Sequence, residues 1–307
     1  MIESINLTKK YGDVTALEDV SFEIERGVLG VCGARGAGKS SLLAIVAGAL
    51  PYSSGEITVN GSAPSKKNCG YLMEENPMFN DMTTFEFLTF IGESKKIPFE
   101  KLYRQIKEVI ELCELEDIKD MPIAALNASR KKMIGIAQTL LGNPKTIVLD
   151  EPFAGMGRRE LSTAKSIIKM LGEIKTVIIS SSIPSDISDV CTELVLLSSG
   201  KLVACGSLEE LTAAVDNINA FEITVTKNIK KALSALVELD GISECIVLPD
   251  STFSSSHIKI VCDGRENIKK AILDTLLTNE SETSELTATT ITLDDLCISI
   301  ANAQEEK

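Results

Sequence analysis

One histidine, no close cysteine pair, no long apolar run and no excess of positive charge: each shortage removes a class of function. His257 is the single histidine among 307 residues, and eight cysteines (Cys32, Cys69, Cys113, Cys191, Cys205, Cys245, Cys262 and Cys297) stand at wide spacings without a CxxC pair. A zinc site draws its ligands from tight His and Cys clusters, so no zinc centre is expected. Scattered cysteines read as free thiols in a reducing compartment, and His257 as a structural or surface residue. No apolar stretch reaches the roughly 18 residues that cross a bilayer, so the chain is not itself a channel or carrier. The opening MIESINLTKKYG lacks the basic-then-apolar build of a secretory signal. Lys and Arg number 31 against 44 Asp and Glu, a net charge of −13. Such a surface repels phosphate backbones, so no nucleic-acid partner is expected. The deficit is shared along the chain, with 8 basic and 15 acidic residues from Phe221 onward. A cytoplasmic, globular protein is the expectation.

What is present fits that class. Apolar residues make up 44% and charged residues 24%, near the globular average, and the length suggests about two domains. Short apolar runs at Leu17–Ile24, Val28–Cys32 and Ile57–Val59 read as strands. From about Thr83 to Gly142 the pattern turns helical, with Leu102, Ile106, Val109, Ile110 and Cys113 at a 3.6-residue period. Strands return at Thr146–Leu149, Thr176–Ser180, Leu194–Leu197 and Leu202–Cys205, with a helix near Glu160–Leu171. This alternation predicts a largely parallel sheet covered on both faces, with the 83–142 block inserted as a helical subdomain. A second unit over 220–307 follows a first over 1–215. Its strands Phe221–Thr226, Ile242–Leu248 and Ile258–Cys262, with helices at Ile229–Leu239 and Glu266–Leu277, suggest a small α+β, ferredoxin-like domain. A strand Thr289–Leu293 and a last helix complete it.

Two motifs carry chemistry. Gly33-Ala34-Arg35-Gly36-Ala37-Gly38-Lys39-Ser40 fits G-x-x-x-x-G-K-[ST] between a strand and a helix. Its glycines let backbone N–H groups turn inward as an anion nest at a positive helix end. Lys39 adds charge for the β- and γ-phosphates, and the Ser40 hydroxyl is placed to ligate Mg²⁺. Thr146-Ile147-Val148-Leu149-Asp150-Glu151 is an apolar strand ending in two carboxylates. Asp150 suits a hydrated Mg²⁺, and Glu151 a general base for water attacking the γ-phosphate. A nucleoside triphosphate with Mg²⁺ is the expected ligand.

Tyr11–Ser41, the helical block and Asn127–Pro152 together resemble an ABC-transporter ATPase subunit, over about the first 215 residues. The resemblance implies a P-loop NTPase fold, ATP and Mg²⁺ as cofactors, and ATP held by Tyr11 and the 33–41 loop, Ser41 included. It gives Tyr11 the role of adenine stacker, against the ordinary alternative of a packed tyrosine at a strand end. It also implies a dimer, homomeric or with another ABC ATPase, and separate transmembrane permease subunits that hold the chain at the inner face of the membrane. A signature segment would reach the partner subunit's ATP. Here that segment is Asn127-Ala128-Ser129-Arg130, where the family has Ser-Gly-Gly at the first three positions. Two readings stay open for Arg130, Lys131 and Lys132: contact with the partner-bound triphosphate, or a solvated face.

Three more positions depart from the family. Glu74 takes the place of a metal-presenting glutamine, a form similar to exporter-type subunits. Gly157 stands where an aspartate is expected. Ser182 replaces the histidine that contacts the γ-phosphate. Thr292-Leu293-Asp294-Asp295-Leu296-Cys297 is similar to the end segment of exporter-type subunits. Losing a preorganised donor costs about 10²–10³ in rate, so the expectation is ATP binding that outlasts fast turnover. The rival reading is a poorly hydrolysing regulatory or structural partner of another ABC ATPase.

Overall fold

The computed structural model describes residues 1–24, 27–213, 218–248, 255–263, 265, 267–284 and 286–289. The chain divides into two compact units, Met1–Leu208 and Glu209–Lys307, a few residues before the junction expected at 215–220.

In the first unit, β1 (Ile2–Tyr11), β2 (Val14–Ile24) and β4 (Ser54–Val59) form an antiparallel sheet in the order β2-β1-β4. β1 and β2 are joined by Gly12-Asp13, where Gly12 has φ 57°, the positive value that two-residue hairpin turns require. The other strands are β3 (Gly27–Cys32), β5 (Cys69–Leu72), β6 (Thr146–Leu149), β7 (Thr176–Ser181), β8 (Glu193–Ser198) and β9 (Lys201–Gly206). They run β5-β6-β7-β3-β8-β9, parallel except for β8 with β9. Every residue of β6 and β7 is buried, which explains their unbroken apolar runs. The largely parallel sheet expected from sequence is present, and Leu17–Ile24 and Ile57–Val59 belong to a separate antiparallel sheet beside it.

The helices are α1 (Lys39–Val46), α2 (Thr84–Ser94), α3 (Phe99–Leu112), α4 (Ala128–Leu140) and α5 (Arg158–Ile174). Helix α2 opens on a capping box, in which Thr83 Oγ1 accepts from the Glu86 amide and Glu86 Oε2 from the Thr83 amide. Helix α1 buries Leu42, Leu43, Ile45 and Val46 among Leu7, Leu17, Val31, Ile178 and Val195, so both sheets share its core. Leu43 is fully buried. Truncation to alanine is expected to cost about 2–5 kcal/mol, read as a lowered urea midpoint at unchanged slope.

The second unit holds α6 (Leu208–Ala213), β10 (Ile218–Val225), α7 (Ile229–Val237), β11 (Ile242–Val247), β12 (Ser256–Asp263), α8 (Ile268–Thr278) and β13 (Thr287–Thr289). The four strands are antiparallel in the order β11-β12-β10-β13, and with α7 and α8 they trace the β-α-β-β-α-β split arrangement. Phe221, Ile223 and Val225 of β10 and Ile258, Ile260 and Cys262 of β12 face Ala232, Leu236, Ile272 and Leu276 of the helices. His257 lies on β12, opposite Thr224. The last-helix expectation and the 292–297 segment lie outside the described residues.

Candidate active site

The parallel sheet explains how distant sequence segments meet. In the order β6-β7-β3, the carboxyl ends of three strands lie side by side, with Cys32 opposite Ser181 and Leu149 opposite Ile179. Ligand sites of open α/β sheets form at such carboxyl ends. A cavity of about 480 Å³ opens there, lined in part by Arg35, Gly38, Lys39, Ser40, Ser41, Glu74, Glu151 and Ser182.

The 33–38 loop links β3 to α1, and Gly38 caps the helix at φ 100°. A Cβ at Gly38 would lie 2.4 Å from the Ala16 carbonyl oxygen, so only glycine fits this left-handed, crowded corner. Lys39 is 6% exposed. Its Nζ donates to the Gly33 carbonyl at 2.7 Å, the Ala34 carbonyl at 3.1 Å and Ser182 Oγ at 2.9 Å, and lies 3.5 Å from Glu151 Oε1. Ser182 Oγ in turn donates to Glu151 Oε1 at 2.5 Å. The candidate phosphate-binding cation, base and switch residue thus form one connected group.

Asp150 is buried behind the cavity, its Oδ1 accepting from Ser180 Oγ at 2.6 Å. Ser40 and Glu74 line the cavity and are exposed. Three oxygen donors of this kind fit a hard divalent cation such as Mg²⁺, which accepts carboxylate and hydroxyl oxygens and keeps several waters. Tyr11 lies half-exposed beside the first turn of α1, its hydroxyl 3.4 Å from Ser41 Oγ and its ring centroid 4.8 Å from Lys9 Nζ.

The signature segment sits elsewhere. Asn127 Oδ1 caps α4 by accepting from the Arg130 amide at 2.8 Å. Ser129 Oγ accepts from the Gly157 amide at 2.9 Å, which fastens the start of α4 to the start of α5. Ala128 is exposed, and none of Asn127–Arg130 lines the cavity of its own chain. Two residues of the basic run have partners within their own chain. Arg130 is bound within its own chain, to the Glu114 carbonyl at 2.7 Å, Asp117 Oδ2 at 2.8 Å and Glu160 Oε1 at 3.7 Å. Lys132 Nζ donates to the carbonyls of Glu74 and Glu151, each at 3.0 Å. Burial lowers the pKa of Lys132, against the raising influence of Glu74, Asp150 and Glu151. These intrachain acceptors offset the repulsion between cations and a helix amino end. Sequence reasoning missed Ser180 and the double contact of Lys132. Ser180 and Ser181, polar at the end of a fully buried strand, were the available signal.

A match to the ABC transporter family covers residues 17–154, which includes the 33–41 loop and Asp150-Glu151. An ABC transporter ATP-binding protein of Methanocaldococcus jannaschii is 30% identical over 208 residues, 67% of this chain and 77% of that one. The chain belongs to the ABC transporter ATP-binding family. Members of this family are ATPases, so the cavity residues sit in an ATP-hydrolysing domain. The linearmycin resistance ATP-binding protein of Bacillus subtilis is 26% identical over 273 residues, covering 85% of this ABC ATPase and 88% of the relative. Among solved structures, a dimeric ATP-binding cassette bound to ADP and phosphate shares the fold at TM-score 0.62 and 20% identity, over 68% of this chain and 99% of that one.

Proposed function

We propose that this chain is the ATP-hydrolysing subunit of an exporter-type ABC transporter, dimerising on ATP and driving separate membrane permease subunits from the cytoplasmic side. The contact of Lys39, Ser182 and Glu151 at the mouth of the 33–41 loop carries this reading. The loop amides and Lys39 bind the triphosphate, Glu151 takes the proton of the attacking water, and Ser182 holds the Glu151 carboxylate. Ser40, Asp150 and Glu74 would hold Mg²⁺, which would supply charge neutralisation when bound. Tyr11 stacks the adenine, and Asn127, Ala128 and Ser129 meet the partner subunit's nucleotide. Arg130 supports that segment from within. No helix among the described residues is long and apolar enough to cross a membrane. Exporter type is favoured by the reach of the match: the resistance ATPase aligns over 85% of the chain. A sulfate/thiosulfate import ATP-binding protein of Mesostigma viride aligns over 67%.

Ser182 favours the second reading, weak hydrolysis in a regulatory partner, because a hydroxyl lacks the reach and charge of imidazole. The purified chain is expected to release phosphate from MgATP slowly. Ser182→His is expected to raise kcat by about tenfold or more, a fraction of the 10²–10³ that one preorganised donor contributes. Vigorous wild-type turnover that Ser182→His leaves unchanged rejects the slow-hydrolysis reading.

A further inference from the structure

We propose that Ser180 and Lys132 are positioning residues for hydrolysis: they grip the Glu151 main chain from both sides, and Lys132 ties it to Glu74. This rests on the assignment of Glu151 as the base. Glu151 adopts φ 46°, a left-handed conformation uncommon outside glycine that persists only where surroundings hold it. Ser180 is fully buried. Its hydroxyl accepts from the Glu151 amide at 2.8 Å and donates to Asp150 Oδ1 at 2.6 Å, so one oxygen fixes both acidic residues. On the other side, Lys132 Nζ donates to the Glu151 carbonyl and to the Glu74 carbonyl, each at 3.0 Å.

The choice of acceptors separates Lys132 from an ordinary helix-end cation. Arg130, two residues away, bonds one carbonyl, that of Glu114, and pairs with the side chains of Asp117 and Glu160, all away from the cavity. Lys132 instead spends its donors on the backbone of the two segments that bring carboxylates to the cavity. Charge-assisted bonds to those carbonyls are stronger than neutral ones. With the peptide gripped at its N–H and its C=O, the direction of the Glu151 side chain is set, and its carboxylate meets Ser182 and Lys39. Neither Lys132 nor Ser180 lines the cavity. Lys132 bonds only main-chain carbonyls, so its loss falls on the chemical step, whereas Ser180 also bonds the Asp150 carboxylate and its loss reaches the metal site as well.

The test compares Lys132→Gln, Lys132→Arg and Ser180→Ala with the wild-type full chain, in phosphate release across MgATP concentration and in ATP calorimetry. Lys132→Gln is expected to lower kcat about 10–100-fold, the usual cost of losing an outer-shell partner. KM and the ATP Kd should stay within about threefold. Lys132→Arg, which keeps charge and donors but not the compact ammonium, should recover part of the loss. Ser180→Ala should lower kcat about tenfold while also raising the Mg²⁺ concentration needed for half-maximal rate, because Ser180 holds Asp150. A folded Lys132→Gln with wild-type kcat overturns the proposal, as does a loss that appears in Kd. If Lys132→Gln does not fold, Ser180→Ala decides by kcat at saturating ATP and Mg²⁺: a wild-type value overturns the proposal. A wild-type chain that binds ATP but releases no phosphate overturns the assignment of Glu151 and this proposal with it. Wild-type turnover with unaffected variants overturns this proposal alone.

Discussion

Replacing Lys39 with alanine is expected to weaken MgATP binding by at least about 100-fold, roughly two charge-assisted hydrogen bonds at about 1.5–3 kcal/mol each. Lys39 is a buried ammonium held by two carbonyls, one hydroxyl and one carboxylate. That shell is poor in compensating charge, since Glu151 alone is anionic and stands 3.5 Å away. A triphosphate offers more negative charge than one carboxylate, so the ammonium gains on exchange. Alanine removes the gain while leaving the loop's glycines and their backbone amides in place. The fold is expected to survive, because Gly33 and Ala34 lie in a loop that is partly or fully exposed, where water can replace the ammonium at their carbonyls. Lys39→Arg is expected to fail as a rescue: a planar fork does not reproduce a compact ammonium on converging oxygens. Isothermal titration with ATP and Mg²⁺ checks the affinity, and the ATP-induced rise in melting temperature should vanish with it. Equal heats from wild type and Lys39→Ala would sink the phosphate-loop assignment.

The parts of this site that are local in sequence were legible there. A strand, a glycine loop and a helix in succession at 28–46 form a continuous piece of chain, so composition and spacing suffice. Thr146–Leu149 matched β6 to the residue because its burial on both faces leaves an unbroken apolar run. β1 escaped because irregular pairing with β2 breaks its alternation: register shifts occur between Ser4 and Leu7, Leu7 and Lys9, and Lys9 and Lys10. Leu17–Ile24 read correctly as a strand but not as part of a second sheet, since sheet membership depends on partners far along the chain. The intrachain partners of Arg130 and Lys132 were illegible for the same reason. Charge at a helix start says nothing of which carbonyls the fold delivers to it, and Glu74 lies 58 residues from Lys132. Two of the sequence departures, at Asn127–Ser129 and Gly157, are linked in structure where they looked independent, since Ser129 binds the Gly157 amide; the third, Ser182, binds Lys39 and Glu151 instead.

Glu151→Gln is expected to move turnover and affinity in opposite directions, and that opposition identifies its role. The amide keeps the size of the carboxylate and an oxygen for the Ser182 hydroxyl, so the geometry of the group is preserved. It cannot accept a proton from water, and losing a general base lowers the rate by about 10²–10⁴-fold. Binding should tighten instead. In the wild type, the Glu151 carboxylate faces the cavity that receives a triphosphate, and it neutralises part of the Lys39 charge at 3.5 Å. Removing that negative charge from a partly dry site lowers repulsion and leaves the full ammonium for phosphate, worth several-fold in Kd. A tighter complex that does not turn over should also persist as the ATP-bound dimer, seen as a larger species in size-exclusion chromatography with MgATP and absent without it. Loss of affinity alongside loss of turnover would instead make Glu151 a residue that supports the pocket, and the base would have to be sought elsewhere along the same edge.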